Sequence, residues 1–210
     1  MKPIPILLAA VIQLAVCSPS PGQDSGPVAA RGTGFDFYVL SLAWSPSYCA
    51  AEGTQASRQQ CGVDRDLAFV VHGLWPQFER GYPEYCASSE PQRVPGALAA
   101  TALDIIPTIG LIGHQWRKHG TCTGLAQADY LEAIREASDR IAIPPALSRA
   151  ATGRSADPDA VEKAFLAANP QLPADGVAVT CSDGRLDEVR ICLSKGLDFR
   201  SCPEVDRRAC

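Results

Sequence analysis

The sequence predicts an α+β domain: a mainly antiparallel sheet packed with helices, in a single disulfide-stabilised unit. Three observations carry that reading. Segments of strand character and segments of helical character do not alternate strictly, as a parallel βαβ chain would require. The 210 residues suit one domain of ordinary size, show no internal repeat, and have nearly half their residues apolar, enough for a packed core. Of the nine cysteines, eight lie beyond an export-like N-terminal segment. An even number in an exported chain argues for four disulfides in an oxidising compartment.

The elements follow in order. Lys2 is a minimal positive start, and Ile4 to Val16 is apolar apart from Pro5 and Gln13, a run too short for a transmembrane helix. Cys17 to Gly26 breaks any helix. The expected organisation is a signal peptide over 1–22, a flexible linker over 23–34 and one catalytic domain over 35–210. The protein is expected to be secreted or periplasmic, monomeric and without a membrane span. Leu14-Ala15-Val16-Cys17 loosely resembles a lipoprotein cleavage box, but Val16 stands where a small residue is usual, so plain secretion is preferred.

Phe35 to Trp44 is rich in aromatic and branched residues and reads as a strand stopped by Pro46. Cys49 to Gly62 is polar and bracketed by cysteines, which predicts a loop. Leu67 to His72 is apolar at nearly every position, as in a central strand buried on both faces, with Gly73 and Pro76 ending it. Phe78 to Pro95 reads as a long loop, and Ala97 to Ile106 as a helix ended by Pro107. Ala126 to Ile141 is an amphipathic helix with Tyr130, Ile134, Ala137 and Ile141 on one face. Asp157-Pro158 joins a cap to a first-turn proline and opens a helix through Ala168. Gly176 to Thr180, Leu186 to Leu193 and Leu197 to Cys202 are short strands, with Ser194-Lys195-Gly196 as a hairpin turn between the last two.

The formal net charge is -4 at pH 7. An acidic chain does not coat nucleic acid by bulk charge, so a polyanionic substrate must meet local positive charge. Such a place exists. All three histidines fall in two motifs, His72-Gly73-Leu74-Trp75-Pro76 and His114-Gln115-Trp116-Arg117-Lys118-His119-Gly120-Thr121-Cys122. Histidine is the side chain whose proton moves most readily near neutral pH. Taken as a helix at about 100° per residue, the second motif sets His114, Lys118, Gln115 and His119 within roughly 140° of one another. Trp116 then turns toward the core, and His72, at the end of its strand, faces the wall.

Such a wall suits phosphoryl transfer without a metal. One neutral histidine removes a proton from a hydroxyl nucleophile, and a protonated one donates to the leaving oxygen. Lys118 and the third histidine neutralise charge on the phosphoryl oxygens. When the nucleophile is the 2′-hydroxyl of RNA, no serine, metal or cofactor is required. Trp75 is placed to stack on a base, a contact worth roughly 1–3 kcal/mol. Any one of these histidines alone is more often a hydrogen-bonded core residue; their confinement beside Lys118 is what points to chemistry. A three-histidine zinc site is the sharper rival. The metalloprotease pattern sets two histidines four apart around a glutamate. Here His114 and His119 are five apart, Lys118 lies between them, and the motif contains no acid.

The two motifs closely resemble the active-site segments of the ribonuclease T2 family, secreted, metal-independent endoribonucleases that lean toward acid pH. The resemblance runs from about Phe35 to Cys210 and takes in Cys86, Cys181, Glu188-Val189-Arg190-Ile191-Cys192 and Ser201-Cys202-Pro203. It implies an α+β fold and cleavage of single-stranded RNA, with little base specificity, to 2′,3′-cyclic phosphates and then 3′-phosphates. DNA is excluded as a substrate, and no cofactor or metal is implied. On the same resemblance His72 and His119 are the acid–base pair, His114 helps to bind phosphate, and Lys118 stabilises the transition state, with Gln115 in the same catalytic set. Trp75 lines a base site, and Gln77 stands where some members carry an acid in the base pocket. The implied disulfides are Cys49–Cys61, Cys86–Cys122, Cys181–Cys210 and Cys192–Cys202.

The chain departs from the family pattern at Gln115, where glutamate is usual. Glutamine hydrogen-bonds but cannot ionise, so it neither carries a proton nor raises a neighbouring histidine's pKa by its charge. That departure supports an alternative, a family member that binds RNA or signals with weak or no cleavage. The intact His72, Lys118 and His119 argue for the enzyme.

Overall fold

Strand β1 (Phe37–Trp44) is apolar on both faces and lies inside a four-stranded antiparallel sheet of order β2-β1-β4-β3. The computed structural model describes residues 1, 32–149, 157–207 and 210. Apart from Met1, the expected signal peptide lies outside the described residues, as does most of the linker.

Helices α1 (Ser45–Glu52) and α2 (Arg58–Cys61), joined by a 3₁₀ turn at Gly53–Gln55, occupy the stretch predicted as loop. Pro46 does more than stop β1. It sits in the first turn of α1, where a missing N–H leaves no bond unmade and a fixed φ suits the helix. The Cys49–Cys61 disulfide ties the two helices together.

β2 (Phe69–Gln77) also departs from expectation. It continues through Gly73 and Pro76 and is an edge strand, not a central one. Its apolar run has another cause, because the outer edge is covered. Val71 donates its N–H to the Ile105 carbonyl at 3.0 Å, and the Leu74 carbonyl accepts the buried Tyr130 hydroxyl at 2.9 Å. Proline is tolerated on an edge strand, where its absent N–H breaks no ladder bond.

α3 (Gly96–Ala100) is shorter than predicted, and the chain continues as turns. The Thr101 hydroxyl donates to the Leu98 carbonyl at 2.7 Å, competing with the helical ladder. α4 (Ile109–Lys118) starts at Thr108, whose hydroxyl oxygen accepts from the Leu111 N–H at 3.0 Å. α5 (Gln127–Asp139) buries Tyr130, Ile134 and Ala137 as its periodicity predicts. α6 (Pro158–Ala168) begins on the predicted Asp157 cap. β3 (Val177–Ser182) and β4 (Arg185–Leu193) form a hairpin, and α7 (Pro203–Asp206) follows.

The strand expected at Leu197 to Cys202 does not form; Leu193 and Phe199 make a single bridge. Leu197 adopts φ 64°, which curls the chain. Cys202 then bonds Cys192 and donates its N–H to the Asp175 carbonyl at 2.9 Å, away from the β4 ladder.

One face of the sheet carries the main core, with Leu40, Leu74, Trp116, Ile134 and Phe165 among its buried members. Each such side chain contributes about 1.5–3 kcal/mol on burial. The other face carries a smaller cluster around Phe37, Val39, Cys192 and Val205, against which Trp75 packs. The fold class is the one predicted, and all four implied disulfides are present.

Candidate active site

His72 owes its direction to a fault in the β1–β2 ladder. Ser41 faces Gly73 and Leu42 faces Val71, so His72 has no cross-strand partner. This is a β-bulge, which adds one residue to a strand and re-aims its side chains. Val71 and Leu74 both enter the main core, a spacing that strict alternation forbids. The bulge absorbs the mismatch and turns His72 toward the pocket with Trp75. His72 is therefore in the middle of its strand, not at its end.

α4 supplies the opposite wall. Ile112 and Trp116 bury one side of the helix, and the Trp116 indole N–H donates to the Pro91 carbonyl at 2.8 Å. His114, Gln115 and Lys118 face the other way, and the helix ends at Lys118. His119 is its C-cap, with φ -120° and ψ -45°, and donates its backbone N–H to the Gln115 carbonyl at 2.9 Å. The long loop after β2 holds this end in place. Tyr85 donates its N–H to the Lys118 carbonyl at 2.8 Å, Glu84 lies 3.6 Å from the Lys118 ammonium, and the Cys86–Cys122 disulfide closes the arrangement.

All seven predicted site residues line one pocket of about 370 Å³. Trp75 joins its two halves. Its indole N–H donates to Gln115 Oε1 at 2.8 Å, its ring stacks on His119 at 5.2 Å and 25°, and it meets His72 edge-on at 5.4 Å and 79°. Gln77 is buried at the rim and donates its amide to the neighbouring Pro76 carbonyl at 2.9 Å.

The two principal histidines sit in opposite electrostatic settings. His119 is 4% exposed, and its Nδ1 is buried with no hydrogen-bond partner among the described residues. Burial, and then the charges of Lys118 and the other two histidines, push it down to about 3. His114 is lowered too, by burial first and then by Lys118 and Arg117. His72 Nδ1 instead meets the Glu188 carboxylate. Burial alone would raise Glu188. The hydrogen bond and charge of His72, together with Arg190, outweigh that and bring it to about 2.

Glu188 and Arg190 line the same pocket and were not among the predicted site residues. The available signal was a pair of opposite charges two apart in an otherwise apolar strand, which period-2 geometry sets on one face. Among the described residues no group of three or more His, Cys, Asp and Glu is arranged to hold a metal ion.

Comparison with known proteins agrees with this geometry. The ribonuclease T2 family model matches residues 35–202. A ribonuclease from Aeromonas hydrophila is 34% identical over 198 residues, covering 86% of this chain and 83% of that protein. Ribonuclease DdI from Dictyostelium discoideum is 25% identical, covering 84% and 82%. Among solved structures, an RNase-related protein from Calystegia sepium superposes with a TM-score of 0.64 at 18% identity, covering 80% of this chain and 91% of that one. RNase NT in complex with 5′-AMP superposes with a TM-score of 0.56 at 24% identity, covering 81% and 91%.

Proposed function

This chain belongs to the ribonuclease T2 family, and we propose that its pocket cleaves single-stranded RNA with His119 as the first base and His72 as the first acid. It is a T2-type endoribonuclease. The observation that carries the assignment of roles is the contrast between a buried, uncharged His119 and a His72 set against a carboxylate.

In the first step His119 Nε2 accepts the proton of the 2′-hydroxyl. The 2′-oxygen bonds to phosphorus, the bond from phosphorus to the 5′-oxygen breaks, and that oxygen takes a proton from His72 Nε2. The products are a 2′,3′-cyclic phosphate and a 5′-hydroxyl. In the second step the roles reverse. His72 accepts a proton from water as it attacks, and His119 returns its proton to the 2′-oxygen, leaving a 3′-phosphate. Lys118, His114 and the Gln115 amide face the phosphoryl oxygens and offset the charge that develops there. The phosphodiester brings a negative charge beside His119, which favours its protonated form as the proton arrives. Trp75 and Gln77 border the base, and little base specificity is expected.

Gln115 is the pocket's one departure toward the non-cleaving alternative, and the convergence of His72, Lys118 and His119 on one cavity favours cleavage over it. Purified protein is expected to cleave RNA in excess chelator and to leave DNA intact, because DNA lacks the nucleophile. Loss of RNA cleavage in chelator, restored by zinc, would refute the acid–base assignment.

The same proposal includes export. Residues 1–22 act as a signal, and the monomer works outside the cytoplasm, where four disulfides persist. No helix among the described residues is long and apolar enough to cross a membrane. Intact mass of the exported protein is expected to show loss of the N-terminal segment with Cys17, no lipid and no free thiol.

A further inference from the structure

We infer that Glu188, itself held by Arg190, is the positioning residue for His72: it keeps the proton on Nδ1, aims Nε2 at the leaving oxygen, and compensates the charge of the imidazolium. The inference rests on the reading of His72 as the acid.

Glu188 has no role in the chemistry as derived, yet its carboxylate is 4% exposed. A buried charge is costly unless paired and fully hydrogen-bonded. Here both oxygens are engaged, and each has a different partner. Oε1 accepts from His72 Nδ1, while Oε2 accepts from Arg190 Nε at 2.8 Å and Nη2 at 2.7 Å. The guanidinium therefore locks the carboxylate by a two-point contact, and the carboxylate locks the ring. Arg190 is in turn braced over the Trp75 ring at 5.3 Å.

The platform is rigid. Glu188 and Arg190 lie on β4, an interior strand paired on both sides, with Glu188 between Ala43 and Thr180. His72 lies on the bulge of an edge strand, where the ladder does not hold it. A residue released from its ladder needs another anchor if its ring is to keep one direction, and Glu188 is the side chain that supplies it. His72 Nε2 makes no hydrogen bond among the described residues, which leaves that nitrogen for the substrate.

The charges around His72 give the carboxylate a second task. His114, Lys118 and His119 at α4 are cations or potential cations that oppose a positive charge on His72. Asp187 and Glu188 face it from β4, and Asp187 is raised by burial and by Glu188, so it ionises less readily. Glu188 is the carboxylate in direct contact.

The test combines variants with a measurement on the parent. Glu188→Gln keeps the shape and an acceptor but removes the charge. It is expected to lower kcat on the order of 10²-fold, the scale of a misplaced reacting group, with KM little changed because both Glu188 oxygens are already engaged by His72 and Arg190. The His72 limb of its kcat/KM profile is expected to move to lower pH. Glu188→Ala is expected to lose more, and Glu188→Asp to recover part of the loss. Nitrogen-15 NMR of the parent needs no variant to fold: across the His72 titration Nδ1 is expected to stay protonated while Nε2 changes. Titration at Nδ1, or a Glu188→Gln enzyme with the parent's kcat and pH profile, overturns the inference. If His72→Ala abolishes turnover in that case, the acid–base reading stands without it; if His72→Ala keeps turnover, both fall.

Discussion

Trp75 donates its indole N–H to Gln115 Oε1 at 2.8 Å, directly over Gly73. This bond joins the two histidine motifs and fixes the orientation of the Gln115 side chain. Its carbonyl end is committed to the indole, so its amide NH₂ is the end left to donate. The same tryptophan stacks on His119, so a change at this contact reaches the proposed base as well.

Gly73→Ala should be disproportionately damaging for one methyl group. A Cβ at Gly73 would lie 2.1 Å from Gln115 Oε1 and 2.6 Å from Trp75 Nε1. Either the hydrogen bond breaks or the strand moves. Expected are a stability loss of about 1–3 kcal/mol, typical of overpacking, and at least a tenfold lower kcat. A variant with the parent's melting temperature and rate would show that the contact yields freely.

His72→Ala and His119→Ala should each lower kcat by roughly 10²–10⁴-fold, as expected for a general acid or base. His114→Ala should do less and act partly through KM, if that residue positions phosphate as proposed. Steady-state kinetics on a dinucleotide substrate separates the two effects. The roles are wrong if the variant at 114 has the lowest kcat of the three.

Acid should destabilise the fold in two windows. His119 is lowered to about 3 by burial and by neighbouring cations, from an ordinary value of 6.5. Below pH 6.5 the unfolded chain takes up a proton that the folded protein refuses. Stability is therefore lost as pH falls from 6.5 toward 3. Glu188 is held near 2 against an ordinary 4.5, so its contribution is present above 4.5 and fades as pH falls toward 2. Thermal melts across this range should flatten in the upper window for His119→Asn. An equally steep decline in that variant would assign the upper window to another group.

Gln115→Glu should be slower than the parent at neutral pH. The carboxylate would still accept the Trp75 N–H, but it would have no donor for a phosphoryl oxygen and would repel it. Activity should recover only where the new acid is protonated. The opposing expectation is that a charge here raises a nearby histidine and moves a limb of the profile to higher pH. A variant faster than the parent at pH 7 would support that view and mark this chain as a weakened enzyme.

The sequence by itself determined which side chains form the α4 wall of the pocket, because that information is local. His114, Gln115 and Lys118 share one side of α4 through their spacing, His119 caps the same end, and Trp116 turns inward by the same geometry. The face of α5 and the Asp157-Pro158 start of α6 were legible for the same reason. Local pattern misled at Cys49 to Gly62, where polarity and cysteines masked two short helices, and at β2, where a covered edge gives the same apolar run as a central strand. Only the tertiary structure decided how His72 is held. Its bulge exists because β2 must satisfy two core positions while pairing with β1, and its carboxylate partner lies 116 residues away. Strand order and register bring such residues together, and no window of sequence contains both sides of the contact.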